Sequence, residues 1–289
     1  MRSSDEPSFQ TIAIAGLGLI GGSIALAVRD RWPSIRIVGV DQPSVLAHAT
    51  GSGAIDRPAA SVRDVGHADL IILAAPVHQN VQLLNDLASV GSGQGRTIVT
   101  DVGGTKRDIV DAARNLKPSF AFVGGHPIGG AERGGFGFAR PDLFAGRPWI
   151  FTPDSTTPPE TVATLERFAS GLGARPTLLD ASEHDRLMAY LSHLPQLAAS
   201  AVMDVVGREA GTGLRLAGRG LVDTTRLASS PASVWKDICA SNADAIGQAL
   251  DLLIDRLTAL RADLAHGEKI QTIFDDAGHW RAELMKGRD

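Results

Sequence analysis

Residues 11–22 read TIAIAGLGLIGG, and the rest of the chain is best read outward from them. Ile12-Ala13-Ile14-Ala15 is an apolar β run that leads directly into Gly16-Leu17-Gly18-Leu19-Ile20-Gly21, a G-x-G-x-x-G spacing. In a dinucleotide-binding βαβ unit the first glycine makes the tight turn and the second lets the backbone approach a pyrophosphate. The third lets the helix pack close to its strand. Gly16, Gly18 and Gly21 take those places in order. Leu19 and Ile20 stand at the entrance of a helix expected over 20–28, whose first N–H groups point at the phosphates. A second β run at 35–40 ends in Asp41. A carboxylate there accepts hydrogen bonds from ribose hydroxyls and repels a 2′-phosphate, so the expected cofactor is NAD rather than NADP.

Beyond the fingerprint, β runs at 68–75, 97–100, 120–124, 148–152 and 175–179 alternate with helical stretches at 44–50, 79–89, 106–114 and 159–171. Such alternation implies a parallel sheet with right-handed crossovers, and ligands of such sheets sit beyond the carboxyl ends of the strands. Asp41, Pro76-Val77-His78, the run from Asp101 through Thr105 to Lys106, and His126 all fall at those ends. They are expected to rim one crevice, with Ala75, Pro76, Val77 and Asp101 on the cofactor side.

From about residue 182 the β runs stop. Residues 183–206 read as one long helix broken at Pro195, because proline removes an N–H and clashes with the preceding turn. The expected kink at 191–194 would present Ser192, His193 and Gln196 to a site. Residues 210–233 are rich in Gly, Arg and Thr, and a helix carrying Trp235 follows. In the next helix Ile246, Leu250, Leu253, Leu257, Leu260 and Leu264 form a seam with a period near 3.5, suited to an internal bundle or to a dimer interface. Ile270, Ile273, Phe274 and Trp280 are candidate docking residues in the tail. The expected architecture is an α/β Rossmann-like dinucleotide-binding domain over 1–181, followed by an all-α dimerisation domain over 182–289.

Composition narrows the function classes. The 289 residues are 44% hydrophobic and 21% charged, enough for a buried core, and the net charge of −4 gives no reason to expect nucleic-acid or anionic-membrane binding. A single cysteine, Cys239, excludes an internal disulfide and offers no zinc cluster, so no metal is expected. No apolar run approaches the roughly 20 residues of a membrane span. The polar start MRSSDEPSFQ does not read as a secretory signal, and the cytoplasm is the expected compartment.

His126 is the leading catalytic candidate. It follows a buried strand, and Gly129 and Gly130 leave room beside it. An imidazole near neutrality can exchange a proton with a hydroxyl as hydride leaves the adjacent carbon. Arg226 is a candidate carboxylate binder, since guanidinium is a fixed bidentate partner. Glu132 either pairs with such an arginine or is solvated. Lys106 either caps the crevice or begins an exposed helix.

Taken together, GLGLIGGS (16–23), DVGGTK (101–106), HPIGGAERGG (126–135), SHLP (192–195) and DTTRLASSPASVWKDI (223–238) resemble the prephenate and arogenate dehydrogenases of tyrosine biosynthesis. The resemblance runs from about residue 10 to 264. It implies a homodimer whose site lies between the dinucleotide-binding and helical domains, acting by NAD-dependent oxidative decarboxylation. It further implies that His126 hydrogen-bonds the substrate ring hydroxyl and that Arg226 binds the ring carboxylate. Glu132 would stand near the entrance, Ser192 and His193 would line the site, and Trp235 would lie near the substrate side chain across the dimer. Two positions depart from the common pattern. Gly104 replaces a serine, with Thr105 beside it as a substitute hydroxyl, and Gln196 replaces a histidine that meets the side-chain carboxylate. An amide at 196 suits a keto-acid or an amino-acid side chain, so prephenate and arogenate both remain candidate substrates. Other readings keep the fold and change the function, either to a dehydrogenase for amino-substituted prephenate or a 3-hydroxyacid, or to a non-catalytic NAD sensor.

Overall fold

The computed structural model describes residues 9–90, 97–116, 118–130 and 133–286. The fingerprint glycines sit between β1 (Thr11–Ala15) and α1 (Leu19–Arg31). The chain continues through β2 (Arg36–Val40), α2 (Pro43–Gly51), β3 (Arg57–Ala59), β4 (Leu70–Leu73), α3 (Val77–Val90), β5 (Ile98–Asp101), α4 (Arg107–Leu116) and β6 (Ala121–Pro127). It then forms β7 (Pro148–Thr152), α5 (Pro159–Gly171) and β8 (Arg175–Leu178). These eight strands make one sheet in the order β3-β2-β1-β4-β5-β6-β7-β8. The order reverses direction at β1, between β2 and β4, which is where an open α/β sheet places its crevice.

Alternation along the strands separates two cores. Ile12 and Ile14 of β1 face one side, with Ile24, Val28, Phe151 and Phe168. Ala13 and Ala15 face the other, with Val38, Ile71, Leu73, Leu84 and Ile109. Each buried aliphatic or aromatic side chain of this kind contributes roughly 1.5–3 kcal/mol. The helices cover both faces, as the near-continuous apolar runs of the central strands require.

Two expectations about the sheet are corrected. The pairing is parallel except between β6 and β7, which run antiparallel, with His126 opposite Ile150. The connection over 128–147 holds no crossover helix among its described residues, so it returns the chain alongside in the opposite sense. The second correction is β3, a three-residue strand absent from the expected β runs, paired with β2 from Val38–Arg57 to Val40–Ala59. It is an edge strand, the one place where Pro58 can sit without breaking a ladder.

The helical part begins with α6 (Ala181–Met188) and passes through a π turn at Ala189–His193 into α7 (Leu194–Ala210). The irregularity expected from Pro195 is therefore a widened turn, which absorbs the missing N–H and presents 189–193 differently from a regular helix. Next come α8 (Arg219–Thr224), a 3-10 turn at Arg226–Ser229 and α9 (Ala232–Ser241). Residues through Asn242 form one compact unit, and residues from Ala243 form another, built of α10 (Ala243–Ala262) and α11 (Glu268–Met285). On α10 Ile246 is buried, whereas Leu257 is exposed, as are Leu264 just past its end and Phe274 and Trp280 on α11. Among the described residues no helix is long and apolar enough to cross a membrane.

Candidate active site

The fingerprint turn has the shape its sequence implies. Gly16 has φ +98°, and a Cβ there would lie 2.6 Å from the Ala74 carbonyl. A Cβ on Gly21 would lie 1.9 Å from the Gly16 carbonyl oxygen, so only glycine lets α1 approach the strand. A Cβ on Gly18 would meet nothing within 4 Å, so this position faces open space. No side chain caps α1 and no acidic residue lies in its first turn, which leaves the N–H groups at Leu19 and Ile20 for an anion. Asp41 lies beside this turn, where its carboxylate accepts from the Leu17 amide at 2.5 Å and the Gln42 amide at 2.6 Å. Each oxygen keeps a lone pair for a further donor. Just past the neighbouring strand β4, the Ala75 amide donates to Asn80 Oδ1 of α3 at 3.0 Å, which fixes the Ala75-Pro76-Val77 turn at the start of that helix. These features fit a dinucleotide.

Asp101 and Lys106 take roles that sequence reasoning missed. Lys106 is neither a crevice cap nor an exposed helix start; it is fully buried and paired with the buried Asp101. Its ammonium also donates to the Gly125 carbonyl at 2.8 Å. The Asp101 carboxylate accepts from the Gly103 amide at 2.8 Å and the Gly125 amide at 3.1 Å. This carboxylate is thus used up inside the protein and does not face a cofactor. It ties the end of β5 to β6 one residue before His126. A Cβ on Gly125 would come within 2.6 Å of the Asp101 carbonyl oxygen, so glycine is needed for that approach.

His126 is partly buried near the end of β6, and its Nδ1 lies 2.8 Å from Nε2 of His184. His184 Nδ1 lies 2.8 Å from Asp185 Oδ1. Asp185 accepts from the Lys106 amide at 2.7 Å and the Arg107 amide at 3.0 Å, at the N-terminus of α4, where the helix dipole favours an anion. Burial pushes the Asp185 carboxyl up, but His184 and the two amides together hold it below its ordinary range. Burial, then the charges of His184, Lys106 and His193, push His126 well below the usual histidine range. His184 is lowered too, chiefly by burial.

The network continues into the helical part. Asn242, fully buried, donates to the Asp185 carbonyl at 2.8 Å and contacts His193 Nδ1 at 3.3 Å, while its Oδ1 accepts from Arg107 at 2.7 Å. Burial lowers His193 to about 4. The Trp235 ring meets His193 edge-on at 6.0 Å, so within this chain Trp235 already belongs to the His193 side of the site. His184, Asp185 and Asn242 escaped sequence reasoning, since no spacing pattern links them to His126.

Two expected substrate contacts, Thr105 and Gln196, are spent on internal partners. The Thr105 hydroxyl is buried against Ser241 Oγ at 2.8 Å, so it does not replace the absent serine hydroxyl. The Gln196 amide is buried and donates to the Leu227 carbonyl at 2.8 Å and to Ser200, while its oxygen accepts from Ser230 at 3.1 Å. It therefore fixes the turn that carries Arg226 and leaves no donor for a substrate. Ser192 is exposed on the π turn and outside the buried network, and Arg226 is exposed as well. Glu132 lies outside the described residues. Among the described residues no cluster could hold a metal ion.

Residues 24–178 match the family model described as prephenate dehydrogenase, nucleotide-binding domain, and residues 180–273 match the one described as prephenate dehydrogenase, dimerization domain. The prephenate dehydrogenase of Bacillus subtilis is 36% identical over 282 residues, which cover 95% of this chain and 76% of that protein. The cyclohexadienyl dehydrogenase of Zymomonas mobilis is 31% identical over 293 residues, 97% of this chain and 98% of that protein. Among solved structures, prephenate dehydrogenase from A. aeolicus in complex with hydroxyphenyl propionate and NAD+ superposes with a TM-score of 0.87 at 27% identity. That match covers 96% of this chain and 99% of the other.

Proposed function

The chain belongs to the prephenate dehydrogenase family, and from that premise we propose that it oxidatively decarboxylates prephenate, arogenate or both, with NAD as hydride acceptor. The observation that carries this reading is His126 backed by His184 and Asp185 at the carboxyl end of β6. Gly16, Gly18, Gly21, Leu19 and Ile20 would hold the pyrophosphate, Asp41 the ribose, and the Ala75-Pro76-Val77 turn the nicotinamide half. Bound there, NAD supplies the hydride acceptor.

The chain's own residues do the rest. Neutral His126 accepts the ring hydroxyl's proton, or its hydrogen bond, as the C–O bond gains carbonyl character. It returns the proton to oxygen when the electrons of the departing carboxylate complete the aromatic ring, which leaves a phenol and carbon dioxide. Arg226 binds the ring carboxylate, with Gln196 holding its turn in place. Trp235 and His193 bound the side-chain end. The domain division falls at 181/182, with a homodimer formed through the helical part. The exposed Leu257, Leu264, Phe274 and Trp280 supply apolar surface for that dimer.

Purified protein offered prephenate and arogenate separately is expected to form NADH and release carbon dioxide with at least one of them. It should prefer NAD to NADP, because Asp41 repels a 2′-phosphate. NADH formation without carbon dioxide would exclude this reaction. Gly18→Val tests the cofactor cradle. Gly18 has φ −71° and open space beside it, so valine is tolerated by the fold and fills only the ligand's side. NAD affinity should fall tenfold or more, about 1.4 kcal/mol, with the unfolding midpoint unchanged; unchanged affinity by titration would move the pyrophosphate elsewhere.

A further inference from the structure

We propose that Asp185 holds His126 and His193 in opposite neutral tautomers, His126 with a bare Nε2 and His193 with a protonated Nε2, so that the site offers its substrate one acceptor and one donor. The inference deepens the dehydrogenase reading and rests on it for its consequence, but the proton positions follow from the contacts alone.

The first branch runs through the Asp185 side chain. An ionised carboxylate only accepts, so the 2.8 Å contact with His184 requires a proton on His184 Nδ1. His184 is held neutral by burial and carries one N–H, which leaves its Nε2 bare. The 2.8 Å contact between that nitrogen and His126 Nδ1 then requires His126 to donate. His126 is itself neutral, so its Nε2 carries a free lone pair. This is the form that can accept the proton of a ring hydroxyl.

The second branch runs through the Asp185 main chain. Arg107 donates to Asn242 Oδ1, and this fixes which end of the amide is the donor. One Asn242 N–H goes to the Asp185 carbonyl. The other points at His193 Nδ1, which must therefore be bare. Neutral His193 carries its proton on Nε2 and can donate to a substrate oxygen, with the Trp235 ring setting its plane. The charged and titratable groups around the pair are Lys106, Asp101, Arg107, Asp185 and His184. Because the second branch uses the main-chain carbonyl, a side-chain substitution at Asp185 removes the partner of His184 and unlocks His126, while the carbonyl that orients Asn242 toward His193 is kept. His184 and Asn242 are the positioning residues that act on one ring each.

The test is long-range 1H–15N correlation on 15N-histidine-labelled full-length protein with NAD at pH 7, assigned by the signals lost in His126→Gln and His193→Gln. His126 should show a protonated Nδ1 and bare Nε2, and His193 the reverse. In His184→Leu the His126 signals should become those of mixed tautomers while His193 keeps its own. In that variant kcat should fall about 10- to 100-fold, less than or equal to the about 10²–10⁴ of a fully lost base, with the Kd for NAD unchanged. If His184→Leu does not fold, the wild-type spectrum still decides. A proton on His126 Nε2, a bare His193 Nε2, or either ring charged at pH 7 would overturn the proposal. Correct tautomers in a protein that turns over neither substrate would instead sink the dehydrogenase reading and leave the proton assignment standing.

Discussion

Replacing His126 with asparagine is expected to lower kcat by about 10²–10⁴ while leaving the Kd for NAD unchanged, because general base catalysis is worth about that much. Asparagine keeps a polar group at the position, and its amide can still donate toward His184, so the buried network loses little. What disappears is the capacity to take a proton. His126 stays neutral well below the ordinary histidine value of about 6.5, first because of burial and then because of its charged neighbours. A weak base suffices here. A ring hydroxyl becomes strongly acidic as its carbon loses hydride, so the acceptor needs only a lone pair in place. The sign for pH follows. The working form is the neutral ring, and the folded pKa is depressed, so activity persists as pH falls through 6.5 and is lost only at the lower pKa. An acid limb of kcat at or above pH 6.5 would remove His126 as its source, and an asparagine variant with wild-type turnover would remove it from the reaction.

The parts of this site legible in the sequence are those set by local backbone demands. Gly16, Gly18 and Gly21 are legible because a positive φ, an open approach and a close helix packing each require glycine at a fixed spacing. The placement of Asp41 and His126 at the carboxyl ends of β2 and β6 is legible because apolar strand runs end just there, where ligands of such sheets lie. The sheet could be read strand by strand from its apolar runs, apart from Arg57–Ala59, too short to show a period, and the reversed β7, whose direction depends on a connection rather than on the strand. The buried network was not legible, for a different reason. Residues 106, 126, 184, 185, 193 and 242 meet through side chains and main-chain groups drawn from β6, the start of α4, α6, the π turn and the end of α9. No sequence period relates them. Polar residues such as Thr105, Gln196 and Lys106 read as candidate ligand contacts on type alone. Only their partners Ser241, Leu227 and Asp101 show them to be internal.

Lys106→Met should be the most destabilising single substitution near the site, at about 3–5 kcal/mol, the usual cost of breaking one side of a buried ion pair. The methionine chain can lie along the same path, so packing is largely kept. The cost is electrical. Asp101 would stand buried with only the Gly103 and Gly125 amides as donors, and the Gly125 carbonyl would lose its own donor. Against a typical total of about 5–15 kcal/mol, such a loss moves the unfolding midpoint far. Adding Asp101→Asn removes the stranded charge, so the double variant should recover much of the loss, as neutral replacements of buried pairs often do. Denaturant unfolding of the two single variants and the double gives the coupling directly. A Lys106→Met cost below about 1 kcal/mol, or a double variant that simply sums the two singles, would mean the pair is not the strut the geometry implies. The strut also bears on catalysis. Lys106 and Asp101 together grip both the N–H and the carbonyl of Gly125, the residue before His126. In the double variant the amide contact can persist while the ammonium's grip is gone, so the folded protein should turn over more slowly with NAD affinity unchanged. Loss of kcat at constant cofactor affinity would separate this positioning effect from plain loss of stability.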